Sequence, residues 1–88
     1  MKVDFKDSFL RDLKTLKDAD LLARIQHVLD EIENAASLQE ISNLKKMRGG
    51  GSFYHVRIGD YRLGFSISSN TVTYVRCLHR REIYRNFP

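Results

Sequence analysis

Residues 52 to 78 read SFYHVRIGDYRLGFSISSNTVTYVRCL, and this stretch decides the fold. It is three runs rich in β-branched and aromatic residues, Ser52 to Ile58, Tyr61 to Ser68 and Thr71 to Leu78. The pairs Gly59-Asp60 and Ser69-Asn70 separate them. Two-residue connections of this composition suit tight hairpins, the first more clearly than the second, so the segment reads as a β meander. Strand alternation puts Phe53, His55 and Arg57 on one face and Tyr54, Val56 and Ile58 on the other. A tight turn at Gly59-Asp60 pairs Ile58 with Tyr61, hence Arg57 with Arg62 and His55 with Gly64. Gly64 would then leave an open floor opposite the histidine, while Tyr61, Leu63, Phe65 and Ile67 face a core. The same count carried through Ser69-Asn70 pairs Arg62 with Cys77 and puts Val75, Cys77 and His79 on the arginine face; a longer, bulged turn there would reverse that parity.

Upstream, Lys2 to Phe5 alternates polar and apolar residues as a short strand does. Asp7 or Ser8 can cap a helix whose stripe is Phe9, Leu10, Leu13 and Leu16. Asp18 and Asp20 precede a second stripe of Leu21, Leu22, Ile25, Val28, Leu29, Ile32 and Ala36. The two helices are close enough in sequence to form an antiparallel hairpin, with His27 as an ordinary surface residue. Residues 43 to 51, NLKKMRGGG, read as a flexible basic loop, because three glycines remove any steady preference. Its lysines precede the glycines, the reverse of a phosphate-binding Walker loop. His79 to Asn86 closes the chain as a helical turn. The predicted order is βααβββ with that short C-terminal turn: an α+β domain spanning residues 1–88, its helix hairpin packed on a mostly antiparallel sheet.

The chain has 88 residues, 42% of them hydrophobic, enough for one modest core. Its apolar stretches are short and its N-terminus lacks a basic region followed by an apolar run, so neither a spanning helix nor a signal peptide is expected. The lone Cys77 and the scattered His27, His55 and His79 make no metal-site spacing, and no cofactor is implied. A cytoplasmic setting is the expectation for such a cysteine count. Charge is divided unevenly. Residues 1 to 43 hold six Lys/Arg against nine Asp/Glu, and residues 44 to 88 hold nine against two. The second half therefore offers a basic surface to a polyanion, nucleic acid above all.

On that half, two arginines facing each other across strands cost roughly 0.2 to 1 kcal/mol unless an anion lies between them. Its only acids are Asp60 and Glu82. Arginines, a histidine and a tyrosine on one face suit RNA cleavage by the substrate's own 2′-hydroxyl, which needs a proton acceptor, a proton donor and fixed cations but no metal.

The segments LKKMRG (44 to 49), FYHVRIGDYRL (53 to 63) and HRREIYR (79 to 85) resemble the signature segments of RelE/ParE superfamily toxins. The resemblance covers nearly the whole chain and is most specific at Gly-Asp-Tyr-Arg and His-Arg-Arg-Glu-Ile-Tyr. It implies a toxin of a toxin–antitoxin pair that cleaves mRNA on the ribosome, restrained by a cognate antitoxin, with no small-molecule cofactor and no membrane. It implies catalytic roles for Arg62 as phosphate stabiliser, for His55 and Arg57 where RNA-cleaving members usually carry lysines, for Arg80 or Arg81 as the late arginine, and for Tyr84. RNA-binding positions are then Lys45, Lys46, Arg48, His79 and Arg85. Arginine is a poor proton acceptor, so His55 or His79 becomes the candidate base. The ParE-like branch implies instead a gyrase poison without catalysis, and a non-catalytic RNA- or ribosome-binding module is a third reading.

Overall fold

Both hairpin turns stand in the computed structural model where the sequence puts them, and the model describes residues 1–48 and 51–88. The elements are β1 (Lys2–Phe5), α1 (Asp7–Thr15), α2 (Ala19–Asn34), a 3-10 turn (Leu38–Glu40), β2 (Leu44–Lys46), β3 (Phe53–Ile58), β4 (Tyr61–Ser68), β5 (Thr71–His79) and α3 (Ile83–Asn86). They build a five-stranded sheet in the order β1-β5-β4-β3-β2, antiparallel except where β1 joins β5. One correction concerns residues 44 to 46, expected within a flexible loop. Backbone pairing with Tyr54, His55 and Val56 makes them an edge strand, and the Met47 N–H donates to the Phe53 carbonyl at 2.8 Å. Gly49 and Gly50, the middle of that expected loop, lie outside the described residues.

In the β3–β4 hairpin, Ile58 pairs with Tyr61, Arg57 with Arg62 and His55 with Gly64, the predicted register. Ser68 likewise pairs with Thr71 across a tight turn whose Ser69 and Asn70 both have positive φ, at 50° and 62°. Further along β5 the register slips. Phe65 pairs with Tyr74 but Gly64 pairs with Arg76, which leaves Val75 as a bulge residue. Beyond the bulge Arg62 therefore faces Leu78, and Cys77 and His79 pair with Leu63 and Tyr61. The expected placement of Cys77 and His79 on the arginine face is overturned by that single inserted residue.

The helix-facing side of the sheet carries the main core. Phe9, Ile25 and Ile32 from the helices meet Val56, Leu63, Phe65, Val72 and Tyr74, all at most 1% exposed. The ring of Tyr74 stacks on Phe5 and Phe9, each at 5.4 Å, and meets Phe65 at 5.8 Å. Helix α2 starts as predicted, with Asp18 accepting from the Leu21 N–H at 3.1 Å. Helix α1 does not: its cap position is Lys6, with no side-chain cap, and the Ser8 hydroxyl instead donates to the Val75 carbonyl at 2.6 Å. His27 is exposed. On the opposite side a second cluster gathers Met47, Leu78, Ile83 and Phe87 with Phe53 and Val75.

Asp12 ties α1 to β5. Its carboxylate accepts from the Arg76 guanidinium at 2.8 and 3.1 Å and from the Cys77 N–H at 2.9 Å, and its side chain is 14% exposed. Truncating it strands a backbone donor and an arginine together, and each lost buried partner costs on the order of 1–3 kcal/mol. Asp12→Ala is expected to lower unfolding free energy by about 2–4 kcal/mol, with Asp12→Asn losing roughly half as much because the Cys77 N–H keeps an acceptor. Urea denaturation measures both.

Candidate functional site

The face of the sheet away from the hairpin holds a cleft in two connected parts. The larger, about 600 Å³, is lined by Lys45, Lys46, Met47, Arg48, His55, Tyr84, Phe87 and Pro88. The smaller, about 290 Å³, is lined by Asn43, Leu44, Lys45, His55, Arg57, Arg62 and Tyr84. Lys45, His55 and Tyr84 belong to both, so these three stand at the junction.

Among the described residues His55 is the buried polar one, at 3% exposure. Strand β3 presents it on the same face as Arg57, and α3 brings Tyr84 over it from the C-terminal end. Their rings meet edge to face at 5.7 Å, and the Tyr84 hydroxyl lies 3.3 Å from His55 Nε2. His55 Nδ1 is buried with no hydrogen-bond partner among the described residues. Burial, then the charges of Arg62 and Lys45, hold its pKa below the ordinary histidine value of 6.5. The imidazole is therefore neutral near pH 7 and free to accept a proton.

Arg62 is half-buried, and its Nη1 donates to the carbonyls of Gly59 and Tyr61 at 3.1 and 2.9 Å. Two carbonyls of the turn fix the guanidinium without neutralising it. Arg57 is exposed directly across from it. Among the described residues the one ion pair is Arg76 with Asp12, so neither Arg57 nor Arg62 has an acid partner there. The cleft also gains Lys45, Lys46 and Arg48, because β2 lies beside β3.

The other expected residues are elsewhere. His79 packs its ring on Tyr61 at 5.5 Å, and its Nδ1 accepts the Arg81 N–H at 3.2 Å. Arg80, Arg81 and Arg85 are exposed around α3 and do not line either part of the cleft. Phe87, Met47 and Pro88 line it without having been singled out from sequence, since an apolar residue carries no chemical signature until its neighbours are known. Gly64 corrects a further expectation. The floor opposite His55 is occupied: a Cβ on Gly64 would come within 3.0 to 3.1 Å of the Phe87 ring. Cys77 is no nucleophile, since burial and the adjacent Asp12 push its thiol up to about 12.

Residues 3–84 match the family model described as the ParE toxin of type II toxin–antitoxin systems, parDE. The chain belongs to that toxin family. It is a RelE-like toxin of a toxin–antitoxin pair: it is 36% identical to Toxin RelE3 of Methanocaldococcus jannaschii, over the full length of both chains. Its fold matches the RelB-RelE antitoxin–toxin complex from Methanococcus jannaschii with a TM-score of 0.81 and 33% identity, covering 97% of this chain and 99% of that one. The RelE-RelB complex from Pyrococcus horikoshii shares the fold at a TM-score of 0.73 and 22% identity, covering 90% and 93%. Within the toxin no described helix is long and apolar enough to cross a membrane. The buried histidine gives a measurable signature of the cleft. In an NMR titration the His55 imidazole is expected to turn over below pH 6.5, the value from which burial and two cations displace it; a midpoint at that value would mean that the ring is solvated, and one above it that the ring is paired with an acid.

Proposed function

We propose that this toxin is a ribosome-dependent endoribonuclease that cuts mRNA by attack of the substrate's 2′-hydroxyl. The observation that carries this reading is a neutral, buried histidine 3.3 Å from a tyrosine hydroxyl, beside two arginines with no acid partner among the described residues. Such an attack needs a proton acceptor, a proton donor and fixed cations, and in this reading solvent is the donor. Tyr84 is 65% exposed and His55 nearly inaccessible, so the tyrosine hydroxyl meets the substrate first. As the 2′-oxygen closes on phosphorus, its proton passes to the Tyr84 oxygen while the Tyr84 proton moves to His55 Nε2. The 5′-oxygen leaves and takes a proton from solvent, giving a 2′,3′-cyclic phosphate and a 5′-hydroxyl. Arg62 and Arg57 hold the charge that develops on the phosphoryl oxygens. Lys45, Lys46 and Arg48 bind the flanking RNA backbone, and Arg80, Arg81, Arg85 and His79 extend the basic surface beyond the cleft. Residues 1–88 act as one domain in the cytoplasm, and a cognate antitoxin restrains it. The solved RelB-RelE relative, captured with its antitoxin, supports that partner.

The ParE description of the matching family favours a second reading, a gyrase poison with no catalysis. The assay that separates them adds purified toxin to a cell-free translation extract and maps new RNA ends, with gyrase-dependent DNA breaks measured in parallel. Cuts within translated codons are expected, and Arg62→Ala should reduce them by about 100- to 1,000-fold, the usual cost of losing a charge-stabilising donor. Near-normal cutting by a folded Arg62→Ala protein would remove its phosphate role, and DNA breaks without RNA cuts would establish the gyrase reading.

The histidine sets a pH dependence of defined sign. Protonation of His55 removes the acceptor, so cleavage falls as pH drops, with its midpoint below 6.5 because the pKa is lowered. His55→Ala should lose this limb and most activity, and His55→Lys should recover activity without the limb. His79→Ala should leave both intact. A pH profile unchanged in His55→Ala would show that the acceptor is another group.

A further inference from the structure

Tyr84 has a prominent place in the site and little to hold it there. It is 65% exposed, and α3 is four residues long, too short to persist on its own. Its placement must come from its neighbours in the chain. Ile83, on one side, is fully buried against the sheet. Phe87, three residues beyond Tyr84, is 3% exposed, donates its N–H to the Ile83 carbonyl at 3.0 Å and meets Phe53 edge to face at 5.6 Å. Its ring lies over Gly64, the cross-strand partner of His55, so closely that a single Cβ there would be 3.0 Å from the ring. The main core lies on the other side of the sheet and does not include Phe87.

We propose that Phe87 is the positioning residue of the site: seated in the notch left by Gly64, it anchors α3 and thereby sets the Tyr84 hydroxyl against His55. The glycine is a receptor for the ring, and the absence of a side chain at position 64 serves the tyrosine at position 84. Phe87 also closes one wall of the cleft and helps keep water from the His55 ring. The importance of this placement for cleavage rests on the reading of His55 and Tyr84 as the reacting pair, whereas the placement itself is measurable without any reaction.

The test uses the whole chain in five forms: wild type, Phe87→Ala, Phe87→Leu, Gly64→Ala and the Phe87→Leu/Gly64→Ala double variant. His55 is followed by NMR titration, its proximity to Tyr84 by ring-to-ring nuclear Overhauser effects, and RNA cutting in the translation extract. The groups that face His55 are Tyr84 from α3, Lys45 from β2 and Arg62 from β4. None is changed by these variants. In Phe87→Ala the His55 midpoint should rise toward 6.5 as water reaches the ring, the contact to Tyr84 should vanish, and kcat should fall at least tenfold. Gly64→Ala, which displaces the ring without removing it, should do the same. Phe87→Leu should restore most of the contact, and combining it with Gly64→Ala should recover part of what Gly64→Ala loses. Should Phe87→Ala fail to fold, Gly64→Ala decides. A wild-type His55 midpoint and intact Tyr84 contact in either folded variant overturn the proposal. If wild type cuts no RNA, the nuclease reading fails while the two NMR measurements still decide the role of Phe87.

Discussion

The register imposed by the turn at Gly59-Asp60 is the constraint from which the site follows. It sets Arg57 against Arg62 and His55 against Gly64, on a face where, among the described residues, no acid pairs with either arginine. Opposed arginines are worth roughly 0.2 to 1 kcal/mol against the fold. The opposite face of the same strands supplies more than enough in return, because Val56, Ile58, Leu63 and Phe65 are nearly fully buried. Full burial of a side chain of this size contributes about 1.5–3 kcal/mol. One face of the hairpin holds the fold while the other is left free to carry unbalanced charge.

The helical layer completes that division. Acidic residues predominate on the first half of the chain, which forms the hairpin, and cations on the second, which forms most of the sheet. The two halves are joined through Asp12, which reaches from α1 to Arg76 and to the Cys77 backbone. This pairing uses the one arginine of β5 structurally and leaves those of β3 and β4 to the cleft. A small second cluster around Phe87 then seats the C-terminal turn on the charged face. The fold thus has one core for stability and another whose contents position a tyrosine.

Burial acts on the His55 imidazole in a definite direction. Removing an imidazole from water disfavours its charged form, so the site becomes more available for a proton at neutral pH. The same burial limits direct access to the ring, whereas Tyr84, whose hydroxyl lies beside it, is exposed.

Much of this was legible in the sequence, because it depends on local rules. Strand alternation and the tight turns determined the meander, the pairing of Arg57 with Arg62 and of His55 with Gly64, and the helix-facing core. Helical spacing determined α1 and α2, and Asp18 announced the start of the second. Tertiary structure decided the rest. The bulge at Val75 reversed the parity of β5 and sent His79 to the Tyr61 side, away from His55. Leu44 to Lys46 became a strand because β3 offered an open edge, a long-range partner that propensity cannot reveal. Gly64, read as empty space, proved to be the seat of Phe87. A glycine in a strand says that something approaches closely, but the approaching group comes from the far end of the chain, and only packing identifies it.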